Sequence, residues 1–310
     1  MPFDFAAVSA PFRMQPGLRR LAPGDKQLTP NRCGDRALIE KLAVLTAHAD
    51  QALLIAPAFD AAPTLAALAR HAAAEHPDAF TWDGDAHWQA HHLGWSLLHG
   101  TPIGDGPPEI GACLRALPAA WRSAALLSLA FAEDFAIIDG ATARIPWLAV
   151  CLPSHWAPED KIGKHFAQVH APVADNQTLI AASDHLARLV TGNDRWERFV
   201  WTITRHPALS QHPQRCDPAP WPPDASADAL AARAFFRTER QTFIPLPEHA
   251  QAVFTIHVEM QPLASAVTDP ARALQLHDAL ASMSDAVLAY RGLTDARARL
   301  LHWLAERGRA

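Results

Sequence analysis

Three polar side chains fall on one face of a predicted β-strand near position 240. Residues 233–244 and 251–259 are rich in aromatic and β-branched types and flank a proline-containing loop, which predicts an antiparallel hairpin. Strand side chains alternate between faces, so Arg237, Glu239 and Gln241 point the same way. Buried charges persist when they are paired or serve a task, so this row indicates a polar pocket lined by a sheet. The alternative is an amphipathic strand with weak surface ion pairs.

A histidine near position 170 is the second candidate. The pattern at residues 158–170 predicts a helix, and its spacing places His170 on an inward apolar face, with Lys161 and His165 outside that face. An imidazole there could ligate an iron between helix and sheet, with His155 and His165 as fallback ligands. The alternative is a histidine that is simply hydrogen-bonded in the core.

Other motifs carry weaker signals. His87 and His91 have the i, i+4 spacing of a metal pair on a helix predicted at 86–98, but Trp88 stands where a metalloprotease needs Glu and no third ligand is indicated. Ser154 lacks the Gly-x-Ser-x-Gly frame of a nucleophile elbow. Neither a dinucleotide-binding nor a phosphate-binding glycine motif occurs. Electrons for any redox chemistry must therefore come from another chain or a bound cofactor.

Composition narrows the class of protein. Of 310 residues, 49% are hydrophobic and 19% charged, which is typical of a globular protein. A net charge of −5 gives no basic field for nucleic acid or an anionic membrane. Without a signal peptide or an apolar run long enough for a membrane span, a cytoplasmic location is expected. The four cysteines are scattered, which argues against a zinc ribbon, a disulfide framework or an iron–sulfur cluster on this chain.

Strand patterns gather in the middle of the chain and helix patterns at both ends. About five strands, all compatible with antiparallel pairing, indicate an α+β fold. Residues 1–35 read as an extended arm. The predicted helices lie at 35–49, 64–75, 86–98, 119–131, 158–170, 179–191, 270–288 and 294–307; the strands at 134–138, 145–151, 197–205 and in the 233–259 hairpin; and loops at 101–111 and 206–227.

Several segments together resemble the haem-dependent oxidative N-demethylase α-subunit-like family. The most specific are Arg-Thr-Glu-Arg-Gln-Thr at 237–242 and Val-His-Ala-Pro-Val at 169–173. The matching segments follow one order along the chain, at residues 11–18, 133–135, 152–163, 169–173, 198–201, 237–242, 254–257 and 290–293. The chain departs from the family pattern at Ala174, where proline is usual, and at Val200, where asparagine is usual.

The resemblance implies a fold and an activity. The fold would be one domain over residues 1–310, with a PAS-like antiparallel core at 131–260, an arm and helices at 1–130, and C-terminal helices at 261–310. A haem b would lie between the sheet and a helix that carries the axial histidine. The activity would be O₂-dependent removal of a methyl group from a small secondary amine. Electrons would come from NADPH through partner subunits that carry FMN and a [2Fe–2S] cluster, with a further folate-binding subunit.

The same resemblance assigns roles to residues of this chain. His170 would be the axial iron ligand. Arg237, Glu239 and Gln241 would form the catalytic group, in which a carboxylate suits a cationic amine and a guanidinium suits a haem propionate or polarises O₂. Four further residues would bind the cofactor: Arg198, Trp201, Arg240 and His257.

Two other functions are compatible with the same sequence. PAS-like haem domains often sense gases, so the chain could be a non-enzymatic haem sensor. A member of the family could also lack haem and serve as a structural or small-ligand-binding protein. An absorption spectrum separates the haem-free function from the other two, and amine-dependent NADPH consumption separates the enzyme from the sensor.

Overall fold

The chain contains both β-strands, which pair in antiparallel fashion, and short helices between them. The computed structural model describes residues 3–216 and 220–309, so part of the predicted loop at 206–227 lies outside the described residues. The strands are β1 (Arg19–Arg20), β2 (Leu53–Ile55), β3 (Phe80–Trp82), β4 (His87–Ala90), β5 (Trp95–Leu98), β6 (Thr101–Gly104), β7 (Asp134–Asp139), β8 (Arg144–Ala149), β9 (Trp196–Thr204), β10 (Phe235–Leu246) and β11 (Gln251–Pro262).

Thirteen α-helices lie within the described ranges, together with several single turns of 3₁₀ helix. The helices are α1 (Arg36–Ala47), α2 (Ala49–Ala52), α3 (Ala62–Glu75), α4 (Pro108–Ala116), α5 (Ala119–Ala130), α6 (Phe166–His170), α7 (Gln177–Ala181), α8 (Ser183–Val190), α9 (Ala227–Ala231), α10 (Leu263–Ala266), α11 (Pro270–Ala281), α12 (Asp285–Tyr290) and α13 (Arg297–Arg307). The mixture confirms the predicted α+β class. Within the described segments, no helix has both the length and the apolar character needed to cross a membrane.

A seven-stranded antiparallel sheet forms the centre of the molecule, in the order β1-β9-β10-β11-β7-β8-β2. The predicted hairpin is β10 and β11, each of 12 residues, and β10 also pairs with β9 on its other side. The register places Glu239 between Val200 and Val258, and Gln241 beside Arg198. The polar row therefore has neighbouring strands on both sides.

The two faces of this sheet serve different purposes. Helices α1, α3 and α5 and the small sheet β3-β4-β5-β6 form the largest hydrophobic core, which takes in Ile137 of β7 and Ile244 of β10. Helices α11, α12 and α13 form a second core that includes Phe236 of β10. Neighbouring residues of the same strands point to the other face, where Ile138 of β7 and Phe243 of β10 line a cavity.

The helix predicted at 86–98 is wrong. This segment forms β4 and β5 around a 3₁₀ turn, His91–Leu93, which ends at Gly94 in the left-handed conformation with φ +67°. Trp95 and Leu97 are buried while Leu98 is 41% exposed, which is the alternation of a strand. Consequently, the i, i+4 spacing of His87 and His91 does not place the two side chains on one face of a helix. The predicted loop at 101–111 likewise contains β6 and the start of α4.

The helix predicted at 158–170 is also mostly wrong. It is a 3₁₀ turn, Pro158–Asp160, followed by the five-residue α6, because Gly163 adopts φ +70° and breaks the segment. His170 nevertheless lines the cavity, and so does Lys161, which was expected to point away. The predicted count of about five strands is low, since eleven lie in the described residues; the six that were missed have only two to four residues each.

A buried ion pair joins the N-terminal helices to the sheet. Lys41 of α1 is fully buried, and its Nζ lies 3.2 Å from Oδ1 of Asp134 on β7. The same ammonium donates to the carbonyl oxygens of Phe131 and Glu133. Asp134 Oδ2 accepts from the backbone N–H of Leu152 at 2.6 Å. Burial raises the pKa of Asp134, and the charge of Lys41 opposes that rise.

We expect Lys41→Met to lower the free energy of unfolding by about 3–5 kcal/mol, because it leaves the Asp134 carboxylate buried without its countercharge. Urea unfolding followed by circular dichroism measures this loss. Lys26→Met is the matched control, since Lys26 is exposed, and it should change stability by less than about 0.5 kcal/mol. Equal stabilities for the two variants would contradict a structural role for the pair.

Candidate functional site

A cavity of about 290 Å³ lies between one face of the seven-stranded sheet and the segment that carries α6. Its walls are mainly apolar and come from strands β7, β8, β9, β10 and β11 and from α6. Representative lining residues are Ile138, Leu148, Phe254, Ile256, Phe166 and Val169. A cavity of roughly 150 Å³ is enough to take up benzene, so this one can accept a larger planar ligand.

Glu239 presents a hydrogen-bonded carboxylate to this cavity. Its Oε1 accepts from the hydroxyl of Ser154, and its Oε2 accepts from Nε2 of Gln241 at 2.6 Å. Ser154 Oγ in turn accepts from Nε of Arg237 at 2.8 Å, which leaves the hydroxyl hydrogen for Glu239. The carboxylate thus acts as an acceptor toward both neighbours, which is how an ionised group behaves. The three polar residues predicted on this strand face are brought together.

The guanidinium of Arg237 is bound by the backbone of two loops and does not project freely into the cavity. Nη1 donates to the carbonyl oxygen of Leu209 at 2.9 Å and Nη2 to that of Leu152 at 3.1 Å, and the residue is only 1% exposed. Burial lowers the pKa of Arg237 to about 10, while the charge of Glu239 opposes the shift. Its guanidinium therefore orients Ser154 and, through Ser154, the Glu239 carboxylate.

His170 is the last residue of α6 and lines the cavity from the side opposite the sheet. Its Nδ1 lies 2.9 Å from the carbonyl oxygen of Phe166, an arrangement in which Nδ1 donates and Nε2 stays free to accept or to ligate. The Phe166 ring lies 4.2 Å from the imidazole, and Asn176 Nδ2 donates to the His170 carbonyl at 3.1 Å. The ring contact fixes the orientation of the side chain, and the bond from Asn176 holds the backbone at the end of α6.

The imidazole of His170 is neutral at physiological pH. Burial lowers its pKa to about 4; the bond to Phe166 opposes this shift, and the charges of Arg198 and Lys161 add to it. A neutral imidazole is the form that binds iron. Apolar walls, a free Nε2 and a carbonyl that fixes the tautomer fit the requirements of a haem, whose porphyrin supplies the other nitrogen ligands.

The remaining predicted cofactor residues divide between the two faces of the sheet. Arg198 lines the cavity beside Gln241, and burial lowers its pKa, with Glu239 opposing. Trp201 borders the cavity, but its indole is 3% exposed and packs on Phe236 at 5.9 Å in the second core. Arg198 is therefore part of the site, and Trp201 forms its boundary.

Arg240 and His257 lie on the opposite face, away from the cavity. Arg240 Nε pairs with Glu197 Oε2 at 2.9 Å, and His257 Nδ1 lies 2.7 Å from Oε1 of the buried Glu133. Arg240 stands between two residues that line the cavity, and strand alternation turns it away from them. The geometry does not bring these two residues to the cavity, and each forms a buried ion pair on the other face of the sheet.

Several residues of the site escaped prediction as site residues. Ser154, Lys161, Tyr290 and Arg291 line the cavity, although none of them was predicted as a site residue. The only signal in the sequence was their presence in the matching segments. The fallback ligand His155 also lines the cavity, with its ring 5.4 Å from that of His206.

The fallback ligand His165 lies outside the cavity, and no multi-ligand metal site is found in the part of the chain that the structure describes. His165 pairs with Asp184 at 2.9 Å and caps the start of α6, outside the cavity. Among the described residues, no group of three or more His, Cys, Asp or Glu side chains could hold a metal ion.

Comparison with protein families agrees with the resemblance seen in the sequence. A family model described as "Haem-dependent oxidative N-demethylase, alpha subunit-like" matches residues 36–301, most of the chain. The matched range contains every strand that lines the cavity, together with α6 and Arg291. The description itself names haem dependence and implies that other subunits exist.

We expect the stabilising effect of His257 to depend on pH. The neighbouring Glu133 and Glu259 outweigh burial and raise the pKa of His257 to about 9 in the folded protein, against 6.5 as the ordinary value. The protonated pair therefore stabilises the fold fully below pH 6.5, and this contribution is lost as pH rises through 9. His257→Gln should lower the free energy of unfolding by about 3 kcal/mol at pH 6 and by much less at pH 9.5.

Urea unfolding across that pH range measures the difference. His302→Gln, at an exposed histidine paired with Glu306, serves as the control and should have little effect at any pH. A loss from His257→Gln that stays constant between pH 6 and pH 9.5 would show that the charge of the imidazole is not what stabilises the fold.

Proposed function

The chain belongs to the haem-dependent oxidative N-demethylase, α-subunit-like family, and from this premise we propose that it is a haem-binding oxidoreductase. It would bind haem b in the cavity beside β10. It would then take part in the O₂-dependent removal of a methyl group from a small secondary amine. The sheet with a histidine-bearing helix on one face supports the PAS-like core that the resemblance implies.

The position of His170 carries this proposal. It is a neutral imidazole in an apolar cavity, with Nδ1 held by the Phe166 carbonyl and Nε2 free. A histidine buried only for packing would be expected to use both ring nitrogens or to lie among apolar side chains alone. Here Nε2 of His170 has no partner among the described residues, and His170 lines the same cavity as the Glu239 carboxylate. An iron ligand and a substrate-binding group must share one cavity in this way.

Different residues of the cavity would bind the cofactor and the substrate. Bound haem would supply the O₂ chemistry of the demethylation. His170 would hold the iron through Nε2, and the apolar walls would exclude water from the ring. Glu239 would bind the protonated amine by direct charge pairing, in an orientation set by Ser154 and Gln241.

Electrons would reach this chain from partner subunits. The sequence has no glycine motif for NADPH, and its cysteines are scattered, so NADPH, FMN and a [2Fe–2S] cluster are assigned to those partners. A haem sensor without enzymatic activity needs no carboxylate in its pocket, and Glu239 therefore favours the enzyme. Amine-dependent NADPH consumption in the presence of the partner reductase tests the activity directly.

His170→Ala should abolish the Soret band of haem-loaded protein or shift it strongly, because the proposed axial ligand is removed. The far-ultraviolet circular dichroism should stay nearly unchanged, since α6 is short and lies beside the cavity. Absorption spectra of the purified, haem-reconstituted variants measure the effect.

His277→Ala, on the exposed side of α11, is the control and should keep the wild-type spectrum. His155→Ala tests the other imidazole of the cavity. An unchanged Soret band in His170→Ala would refute the assignment, and a band lost only in His155→Ala would move the ligand to His155.

Glu239→Gln should weaken amine binding by roughly 10- to 100-fold, because the charge that pairs with the ammonium is lost while the shape of the side chain is kept. Titration of haem-loaded protein with dimethylamine, followed by the spectral shift, measures the affinity. Haem content should be little changed. Glu248→Gln, at an exposed turn residue, is the control, and a normal amine response in Glu239→Gln would remove Glu239 from the substrate site.

A further inference from the structure

Two arginines in the cavity carry buried nitrogens without partners. Arg198 of β9 and Arg291, which follows α12, both line the cavity. The Nε of each is inaccessible to solvent and has no hydrogen-bond partner in residues 3–216 and 220–309. Nor does a carboxylate of those residues lie within ion-pair distance of either guanidinium. Arg240 also has a buried nitrogen without a partner among them, Nη2, but its charge is paired with Glu197 at 2.9 Å.

Arg291 is held rigidly despite this missing partner. Its guanidinium lies 4.7 Å from the Phe12 ring and 5.7 Å from the Trp201 ring, and Nη1 donates to the Trp201 carbonyl oxygen. Burial lowers the pKa of Arg291 to about 10, and the nearby charge of Arg198 adds to the effect. Two like charges are therefore fixed within electrostatic range of each other.

The charges that line the cavity do not balance. Lys161, Arg198, Arg237 and Arg291 are cationic, and Glu239 is the one carboxylate among the described lining residues. Arg237 is satisfied by loop carbonyls and Ser154, and Lys161 donates to the Val169 carbonyl at 2.9 Å. Burying a guanidinium group without a counterion is unfavourable. The charges of Arg198 and Arg291 would therefore be stabilised by an anionic ligand.

We propose that Arg198 and Arg291 form an anion site for the two carboxylates of haem. The inference rests on the proposed function and deepens it. A planar apolar ring with two carboxylates on one edge matches apolar walls with two guanidinium groups in the same cavity. Guanidinium–carboxylate pairs also have a fixed, directional geometry, so the site would determine which way the ring is turned relative to Glu239.

Haem dimethyl ester, in which both carboxylates are neutral, tests the site without any mutation. Absorption titration of the haem-free full-length protein should show the ester binding roughly 100-fold more weakly than haem, on the basis of about tenfold for each charge-assisted pair. Equal affinities would overturn the anion site while leaving haem binding intact. If the protein bound neither compound, the proposed function itself would be wrong and the site with it.

Variants assign the effect to the two residues. Arg198→Gln and Arg291→Gln should each weaken haem binding about tenfold and leave the affinity for the ester nearly unchanged. Arg291→Lys keeps the charge if the glutamine variant fails to fold, and it should retain most of the preference for haem over the ester. Arg20→Gln, at a surface arginine of the same sheet, should bind both compounds like wild type.

Thermal unfolding adds a readout that does not depend on enzymatic activity. In haem-free protein, Arg198→Gln should keep or raise the midpoint of unfolding, because a buried charge without a partner is removed. In the presence of haem, the same variant should show a smaller rise in midpoint than wild type. A variant that destabilises the haem-free protein and retains the wild-type preference for haem would show that Arg198 serves the fold and not the cofactor.

Discussion

The hydrogen bonds of Arg237 hold together the parts of the molecule that form the site. One buried guanidinium on β10 reaches the loop after β8 through Leu152 and Ser154, and the loop after β9 through Leu209. These loops are about 50 residues apart in sequence, and the residues that Arg237 contacts belong to no helix or strand. Because carbonyl oxygens satisfy most of the guanidinium, its charge costs less to bury, and Ser154 is fixed where it can donate to Glu239. The orientation of the cavity carboxylate thus depends on an arginine that reaches it only through the serine.

The two faces of the sheet treat charge differently. On the face away from the cavity, Arg240 is paired with Glu197 and His257 with Glu133, and both pairs are nearly dry. On the cavity face, Arg198 and Arg291 have no carboxylate of the described residues within ion-pair distance, and the Nε of each lacks a hydrogen-bond partner. Arg240 also has one buried nitrogen without a partner among those residues, Nη2, but its charge is neutralised by Glu197. The two faces therefore differ in whether their buried cations have a carboxylate partner, and a cation without one is favourable only when a ligand supplies the countercharge.

The sequence predicted the placement of side chains correctly where the periodicity of a single strand determines it. The period of two in β10 placed Arg237, Glu239 and Gln241 on one face, and the position of His170 survived although most of its predicted helix did not form. Prediction failed where long-range contacts or glycines determine the secondary structure. The segment 86–98 has spacing compatible with a helix, yet pairing with β3 and β6 and the left-handed Gly94 turn it into strands. Arg291 and Ser154 join the site only through tertiary packing, which no local pattern reports. The roles of Arg240 and His257 were transferred from a motif, and alternation along the strands turns both away from the cavity.

The edge of the large sheet has a consequence for the behaviour of the protein in solution. β1 is only two residues long, and both residues are arginines, paired with Glu197 and with Asp194. Such a short, charged strand offers an incoming chain almost no free row of backbone donors and acceptors on which to add. It pairs with Trp196 and Glu197, the first two of the nine residues of β9. Without β1, the nine-residue β9 would have no strand of the described chain beside it on that side at any position, and a longer unpaired edge is a better template for edge-to-edge association with another chain.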